Sequence, residues 1–201
     1  MILESLVTTM NSDGSVNVSP MGPRVDETGD LATFELRPFD SSRTFANLKR
    51  NRVGVLHVSD DVELFARTAI GKLASIPPTK AADKVACEFL ADACRAYEFK
   101  VEFIDETGPR MNLNCRTVQC HRLRDFWGFN RAKHAVLEVA ILATRIDFLP
   151  PEEIQTGFAR SEQAILKTGG NQESKAFGLL VKFAIEQGIS IELQRSWGDD
   201  D

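Results

Sequence analysis

Residues 7–22 read VTTMNSDGSVNVSPMG. Leu6 and Thr8 alternate with Val7 and Thr9, Asp13-Gly14 supplies a tight turn, and Val16 and Val18 resume the alternation, which predicts an antiparallel hairpin. The second run then exchanges its apolar pattern for Asn17, Ser19, Pro20, Met21 and Gly22. A proline removes a ladder donor, so it belongs at a sheet edge or a strand end. Either the chain leaves the sheet there, or the backbone is shaped to offer free N–H and C=O groups to the edge of a flat heterocycle.

Working outward, Ala32–Leu36 predicts another strand, stopped by Pro38. The stretch DSSRTFANLKRN follows, with Ser41 or Ser42 placed to cap a short helix whose Phe45 and Leu48 share a face. Val53–Val58 is dense in β-branched residues and reads as a buried strand. Asp60 and Asp61 open a helix carrying Val62, Phe65, Ala66, Ala69 and Ile70 as a stripe. Residues 79–96 fit helix or strand equally, and strand is expected from Tyr97. GPR at 108–110 turns into a β-like run, Asn114–Leu123, and the apolar stretch 134–148 reads as a buried strand pair or one long strand.

After Pro150-Pro151 the period changes to that of helices. One helix carries Ile154, Phe158, Ile165 and Leu166 and ends at Gly169-Gly170; a second carries Ala176, Phe177, Leu180, Val181, Ala184 and Ile185 and stops at Gly188. The predicted architecture is mainly β, a barrel with helical additions and a C-terminal helical hairpin. It divides into a barrel domain at 1–149 and a hairpin at 150–201 whose tail, WGDDD, is expected to fray. The hairpin's apolar stripe must pack on the barrel or on another subunit.

Composition limits the functions available. The 201 residues are 43% hydrophobic and 26% charged, an ordinary balance for a globular chain. No run approaches the ~20 apolar residues of a membrane span, and the N-terminal residues lack a signal-peptide pattern, so a cytoplasmic protein is expected. A net charge of −5 argues against nucleic acid, although basic and aromatic residues mix between Arg116 and Arg131. Cys115, Cys120 and His121 lack a second matching pair, and strict alternation puts the two cysteines on opposite faces, so no metal is expected. Neither a dinucleotide-binding glycine loop nor a P-loop occurs.

Two stretches carry the candidate chemistry. A helix beginning at DSSR offers unpaired N–H groups and a partial positive charge to an anion, with Ser41, Ser42 and Thr44 as hydroxyl donors and Arg43 as a planar cation. Residues 126–138, FWGFNRAKHAVLE, gather Phe126, Trp127 and Phe129 beside Asn130, Arg131, Lys133 and His134. They read as a substrate or flavin pocket (Trp127, Asn130, Arg131, His134) or as an anchored loop with solvated cations.

VTTMNSDGSVNVSPMG, SSRTFANLKRN, the strand after it and DDVELFARTAIG together resemble the flavin-reductase-like FMN-binding split-barrel superfamily. More closely, FWGFNRAKHAVLEVAILATRID and the C-terminal helices resemble an archaeal and bacterial branch of it, the likeness running from Leu6 to about Ile185. The resemblance implies a homodimer binding FMN non-covalently, with Asn17, Val18, Ser19, Pro20 and Met21 bordering the ring or ribityl. It also implies Ser41, Ser42, Arg43, Thr44 and Asn47 at the phosphate and ribityl, and an oxidoreductase reaction at the flavin. A non-catalytic FMN carrier or partner-binding barrel is the alternative. VLHVSDD stands where related sequences read like VNVTDD, so His57 and Ser59 depart from the pattern.

Overall fold

The Asp13-Gly14 turn joins β1 (Ser5–Met10) to β2 (Val16–Met21), which pair antiparallel from Ser5↔Met21 to Met10↔Val16. Gly14 has φ +82°, a left-handed conformation that a Cβ would strain. The structure, a computed structural model, describes residues 1–28, 30–108 and 110–197. Pro109 of the expected GPR turn and residues 198–201 of the expected frayed tail lie outside the described residues.

The remaining elements are β3 (Thr33–Leu36), α1 (Arg43–Asn51), β4 (Val53–Val58), α2 (Val62–Ala69), β5 (Thr79–Ala81), β6 (Glu88–Leu90), β7 (Arg95–Asp105), β8 (Asn112–Arg122), α3 (Arg131–Ala143), α4 (Pro151–Thr168) and α5 (Asn171–Glu186). Among the described residues no helix is long and apolar enough to cross a membrane. They fall into two compact units, residues 1–59 with 74–126, and residues 60–73 with 127–201. This division differs from the expected one at 149/150, because α2 joins the helices although it lies between strands in the sequence.

In the first unit six strands form one antiparallel sheet in the order β2-β1-β4-β7-β8-β3. Its ends are joined through Arg24, which bridges Ile2 on one side and Glu35 on the other, so the sheet curls into a barrel left open along β2. The enclosed core gathers Val7, Leu36, Leu56, Phe99 and Leu113, with Phe45 and Leu48 of α1 packed among them. Burying each such side chain stabilises the fold by about 1.5–3 kcal/mol. A second cluster, Val55, Val85, Cys87, Phe89 and Ala96, lies on the other face of β4 and β7 under the β5–β6 hairpin. The ambiguous stretch 79–96 is therefore this hairpin and the start of β7, with no helix in it.

β8 has one extra residue. Thr117 pairs with Phe99 and Gln119 with Glu98, so Val118 is a bulge. That overturns the alternation argument for the cysteines: Cys115 opposite Val101 and Cys120 opposite Tyr97 fall on the same face of the sheet, Cys115 buried in the enclosed core and Cys120 exposed, and His121 opposite Ala96 falls on the other face.

In the second unit the stretch expected as strand at 134–148 is mostly α3. Ala132, Ala135, Val136, Val139, Ala140 and Ala143 are its buried positions, a helical stripe. The run is apolar enough to satisfy either period; its length and the Asn130 cap decide for helix. The α4–α5 hairpin also differs from expectation. Its stripe is covered by α2 and α3 inside the same unit, where Ile154, Phe158, Leu180 and Ala184 are fully buried. Leu166 and Ile185, expected on the buried side, are exposed. Trp197 is docked rather than frayed: its Nε1–H donates to Glu162 Oε1 at 2.8 Å and its ring meets Phe177 edge-on at 4.8 Å.

Candidate functional site

β2 is hydrogen-bonded to a strand only on its β1 side, so residues 16–21 form an open sheet edge. β2 does not end before Pro20 but runs through it, as an edge strand tolerates. All six residues are half-buried, and the Pro20 carbonyl accepts from the Ser19 hydroxyl at 3.4 Å. The carbonyl of Met21 instead accepts from the Ser5 hydroxyl, and the Met21 side chain packs against the barrel core.

Beside this edge lies the N-terminus of α1. Ser42 is its cap: the Ser42 hydroxyl accepts from Phe45 N–H at 3.1 Å and donates to the Phe39 carbonyl at 2.7 Å. Ser41 N–H donates to the Asp40 carboxylate at 2.6 Å, leaving the Ser41 hydroxyl exposed. At this helix end the N–H groups of Arg43 and Thr44 have no backbone or cap partner among the described residues. The first turn of α1 contains no acidic residue, and the exposed Arg43 guanidinium forms no hydrogen bond or ion pair among the described residues. A cation at this end of a helix opposes the helix dipole, and an anion placed between them relieves both.

A buried amide network locks the edge to the helix. Asn17 Nδ2 donates to Thr9 Oγ1 at 3.2 Å and to Thr44 Oγ1 at 3.1 Å. Asn47 Nδ2 donates to Thr9 Oγ1 at 3.0 Å and Asn11 Oδ1 at 2.8 Å, and Asn47 Oδ1 accepts from Arg50 at 2.8 Å. Thr44 and Asn47 are each 2% exposed. Their side chains are committed inside the protein, joining β1, β2 and α1, whereas Ser41 and Arg43 are exposed. Thr9, Asn11 and Arg50 complete this brace; no spacing rule in the sequence singles them out.

The second predicted group separates into individual roles. Asn130 caps α3, accepting from Lys133 N–H at 3.1 Å, and its Nδ2 donates to the Thr168 carbonyl at 3.0 Å. Lys133 Nζ ties three elements together through the Asp60 carbonyl, Gln172 Oε1 and Glu173 Oε1 at 2.6, 2.9 and 3.0 Å. Arg131 and His134 are exposed, His134 meeting Phe129 edge-on at 5.7 Å. Trp127 is 87% and Phe129 92% exposed, so both rings lie at the surface.

Two histidines that the motifs left aside anchor the β5–β6 hairpin. His57 is fully buried; Leu90 N–H donates to its Nε2 at 3.1 Å, so Nδ1 carries the proton and donates to the Leu6 carbonyl at 3.1 Å. Burial pushes the imidazole pKa down to about 4. Glu98 is buried opposite, accepting from the N–H groups of Asp83, Lys84 and Val85 at 2.7, 2.7 and 3.1 Å and from His121 Nε2 at 2.7 Å. Burial would raise its pKa, but the His121 and backbone hydrogen bonds hold it below the ordinary carboxylate value. Asp83, Glu98 and His121 bring a ligand atom each within 4.8 Å of one another. Both Glu98 oxygens are already occupied by donors, so the cluster works as an anchor for the loop at 83–85. Burial also pushes the Cys87 thiol up to about 11, which keeps it inert.

Two family models match the chain: one described as "Protein of unknown function (DUF447) N-terminal domain" over residues 3–124, and one described as "Protein of unknown function (DUF447)" over residues 130–182. No curated protein matches. Among solved structures, the fold is similar to that of an FMN-bound protein from Methanosarcina mazei, 22% identical, with a TM-score of 0.77 and coverage of 90% of this chain and 94% of that one. An FMN-binding protein from Thermus thermophilus with bound 1-cyclohex-2-enone is 15% identical over 60% of this chain and 70% of that one, at a TM-score of 0.49. The styrene monooxygenase flavin reductase of Pseudomonas putida S12 is 12% identical over 59% and 77%, at 0.47.

Proposed function

The chain belongs to the DUF447 family, and we propose that it is a flavoprotein holding FMN non-covalently where the open edge of β2 meets the N-terminus of α1. The observation that carries this reading is the exposed Arg43 guanidinium, which forms no hydrogen bond or ion pair among the described residues, at the first position of a helix braced to a sheet edge. A phosphate dianion suits that helix end, where the N–H groups of Arg43 and Thr44, the Ser41 hydroxyl and the Arg43 guanidinium would be its donors. The polar rim of a flavin ring suits a strand edge whose backbone is unpaired, and Ser19 and Pro20 keep that edge slim enough for a ring to approach. The FMN carried by the Methanosarcina mazei protein of the same fold supports the reading.

The bound flavin would supply electron transfer, and the chain would bind and orient it and tune it by hydrogen bonds near the ring. The proposed class is an oxidoreductase, working as a homodimer. The exposed Trp127 and Phe129 support the dimer, since adjacent aromatics left this open to water mark a contact surface.

The test is reduction under anaerobic conditions. Purified protein loaded with FMN is mixed with NADH or NADPH, and the flavin absorbance is followed. Donor-dependent bleaching supports an oxidoreductase; FMN bound but unbleached by either donor favours the carrier reading; absence of FMN binding ends both.

A further inference from the structure

Three side chains of metal-ligating type meet under the β5–β6 hairpin, and the FMN reading uses none of them. Asp83 comes from the loop between β5 and β6, Glu98 from β7 and His121 from β8, and one ligand atom of each lies within 4.8 Å of the other two. The Val118 bulge makes this possible. Glu98 stands opposite Gln119, so His121, two residues further on, shares its face of the sheet, away from Cys115 and Cys120. The set offers one nitrogen and two oxygens from two paired strands and a loop, with Glu98 buried, His121 half-buried and Asp83 exposed.

Charge and hydrogen bonding single out one exchangeable position. No Lys or Arg pairs with Asp83 or Glu98 among the described residues, and there the Asp83 carboxylate accepts no hydrogen bond. Two carboxylates therefore share a small space with one imidazole, an arrangement that a cation between them relieves. An ionised carboxylate has about four lone-pair sites. On Glu98 the N–H groups of Asp83, Lys84 and Val85 fill three, and His121 Nε2 donates to the fourth at 2.7 Å. The main-chain bonds hold the loop. The fourth bond holds only a proton between two metal-ligating atoms.

We propose that Asp83, Glu98 and His121 form a binding site for one divalent cation of the zinc class, which takes that proton's place and staples the β5–β6 loop to β7 and β8. Bonds of about 2.0–2.2 Å set the ligand atoms of a tetrahedral zinc ion about 3.4 Å apart. Glu98 Oε1 and His121 Nε2, now 2.7 Å apart, need to part by only about 0.7 Å. Asp83 closes from the loop, and water takes the fourth position. The Nε2 proton passes to solvent or, through it, to Nδ1, and Nε2 offers its lone pair. Phe89 stacks on the His121 ring at 4.7 Å and 22°, which fixes the ring plane in advance. An imidazole ligand favours zinc-like ions over magnesium and calcium, which take oxygen ligands. The site lies on the face of β7 away from the enclosed core and is independent of the FMN reading.

Chelator-treated protein is titrated with Zn²⁺ and with Mg²⁺ by calorimetry, for the wild type, Asp83→Ala, His121→Phe and Cys120→Ser, the last because an exposed thiol is the competing zinc ligand. The expected result is one Zn²⁺ per chain in the wild type and in Cys120→Ser, with Mg²⁺ silent. Asp83→Ala and His121→Phe should each weaken Zn²⁺ binding by more than the loss of an outer partner does, about 10- to 100-fold. Zn²⁺ should also raise the melting temperature of the wild type and leave that of Asp83→Ala unchanged. Asp83 is exposed, so its variant folds and decides the matter even where His121→Phe does not. A wild type that binds no Zn²⁺, an Asp83→Ala protein that binds it as the wild type does, or loss of binding in Cys120→Ser overturns the site. Mg²⁺ bound as tightly as Zn²⁺ overturns its assignment to the zinc class.

Discussion

Asn17 of β2 donates its side-chain amide to the hydroxyl of Thr44 in α1 across 3.1 Å, joining the open sheet edge to the helix N-terminus. The same amide reaches Thr9 of β1 at 3.2 Å, so three elements share one side chain. A ligand lying across β2 and α1 would meet two surfaces already fixed relative to each other, and such preorganisation lowers the cost of binding.

Asn17→Ala removes both bonds and takes the Asn17 donor from the buried Thr44 hydroxyl, while Thr9 keeps the one from Asn47. At about 0.5–1.5 kcal/mol for each net hydrogen bond, the protein should lose about 1–3 kcal/mol of stability, and FMN affinity should fall with it. Thermal melts and FMN titration of the variant check this. A variant that keeps both values shows that the brace is not needed.

His57 makes stability depend on pH. Its folded pKa is pushed down to about 4, whereas an unfolded histidine titrates near 6.5. Between those values the unfolded chain binds a proton that the folded chain refuses. The contribution is therefore complete above about pH 6.5 and is lost as pH falls toward 4, by roughly 3 kcal/mol in all. Denaturant unfolding of the wild type and His57→Gln across this window should show a steeper acid decline for the wild type. Parallel curves would contradict the assignment.

Glu162 holds the chain after α5. It is 1% exposed and accepts from the N–H groups of Gln194 and Arg195 and from Trp197 Nε1. Glu162→Ala should release this segment and red-shift the tryptophan emission, because Trp127 is already exposed and Trp197 would join it. Unchanged emission would show that packing on Phe177 alone retains Trp197.

The dimer proposal predicts that Trp127→Ser combined with Phe129→Ser yields monomers in sedimentation without lowering the melting temperature of the subunit. Trp127 and Phe129 contribute little to their own subunit's core, so a stable monomeric variant is the expected outcome. A wild type that sediments as a monomer would remove the proposal.

Much of the first unit was legible in the sequence because hairpins announce themselves locally. Asp13-Gly14 predicted the first turn, Ser41 or Ser42 and the pair Asp60-Asp61 the helix starts, and Gly169-Gly170 the end of α4, where Ser42, Asp61 and Gly169 are the caps. Two kinds of feature were not legible. The stretch 134–148 is apolar at nearly every position, so period could not separate a strand from α3, and its length and the Asn130 cap decide the matter. The bulge at Val118 shifts the alternation of β8 without any glycine or proline to mark it, which placed Cys120 on the wrong face. At the site, residue types were readable but depth was not: Thr44 and Asn47 look like Ser41 and Arg43 in sequence, yet they are buried braces. His57 and Glu98 anchor a hairpin far along the chain, and no local pattern reports a partner at that separation.

The most direct measurement of the central claim is a binding cycle between Arg43 and the flavin phosphate. Wild type and Arg43→Ala are each titrated with FMN and with riboflavin, which lacks the phosphate. A charge-assisted hydrogen bond contributes about 1.5–3 kcal/mol, so Arg43→Ala should weaken FMN binding about 10- to 100-fold and leave riboflavin affinity unchanged. A folded Arg43→Ala protein that binds FMN as tightly as the wild type, or that loses FMN and riboflavin by the same factor, would contradict the placement of the phosphate at the N-terminus of α1.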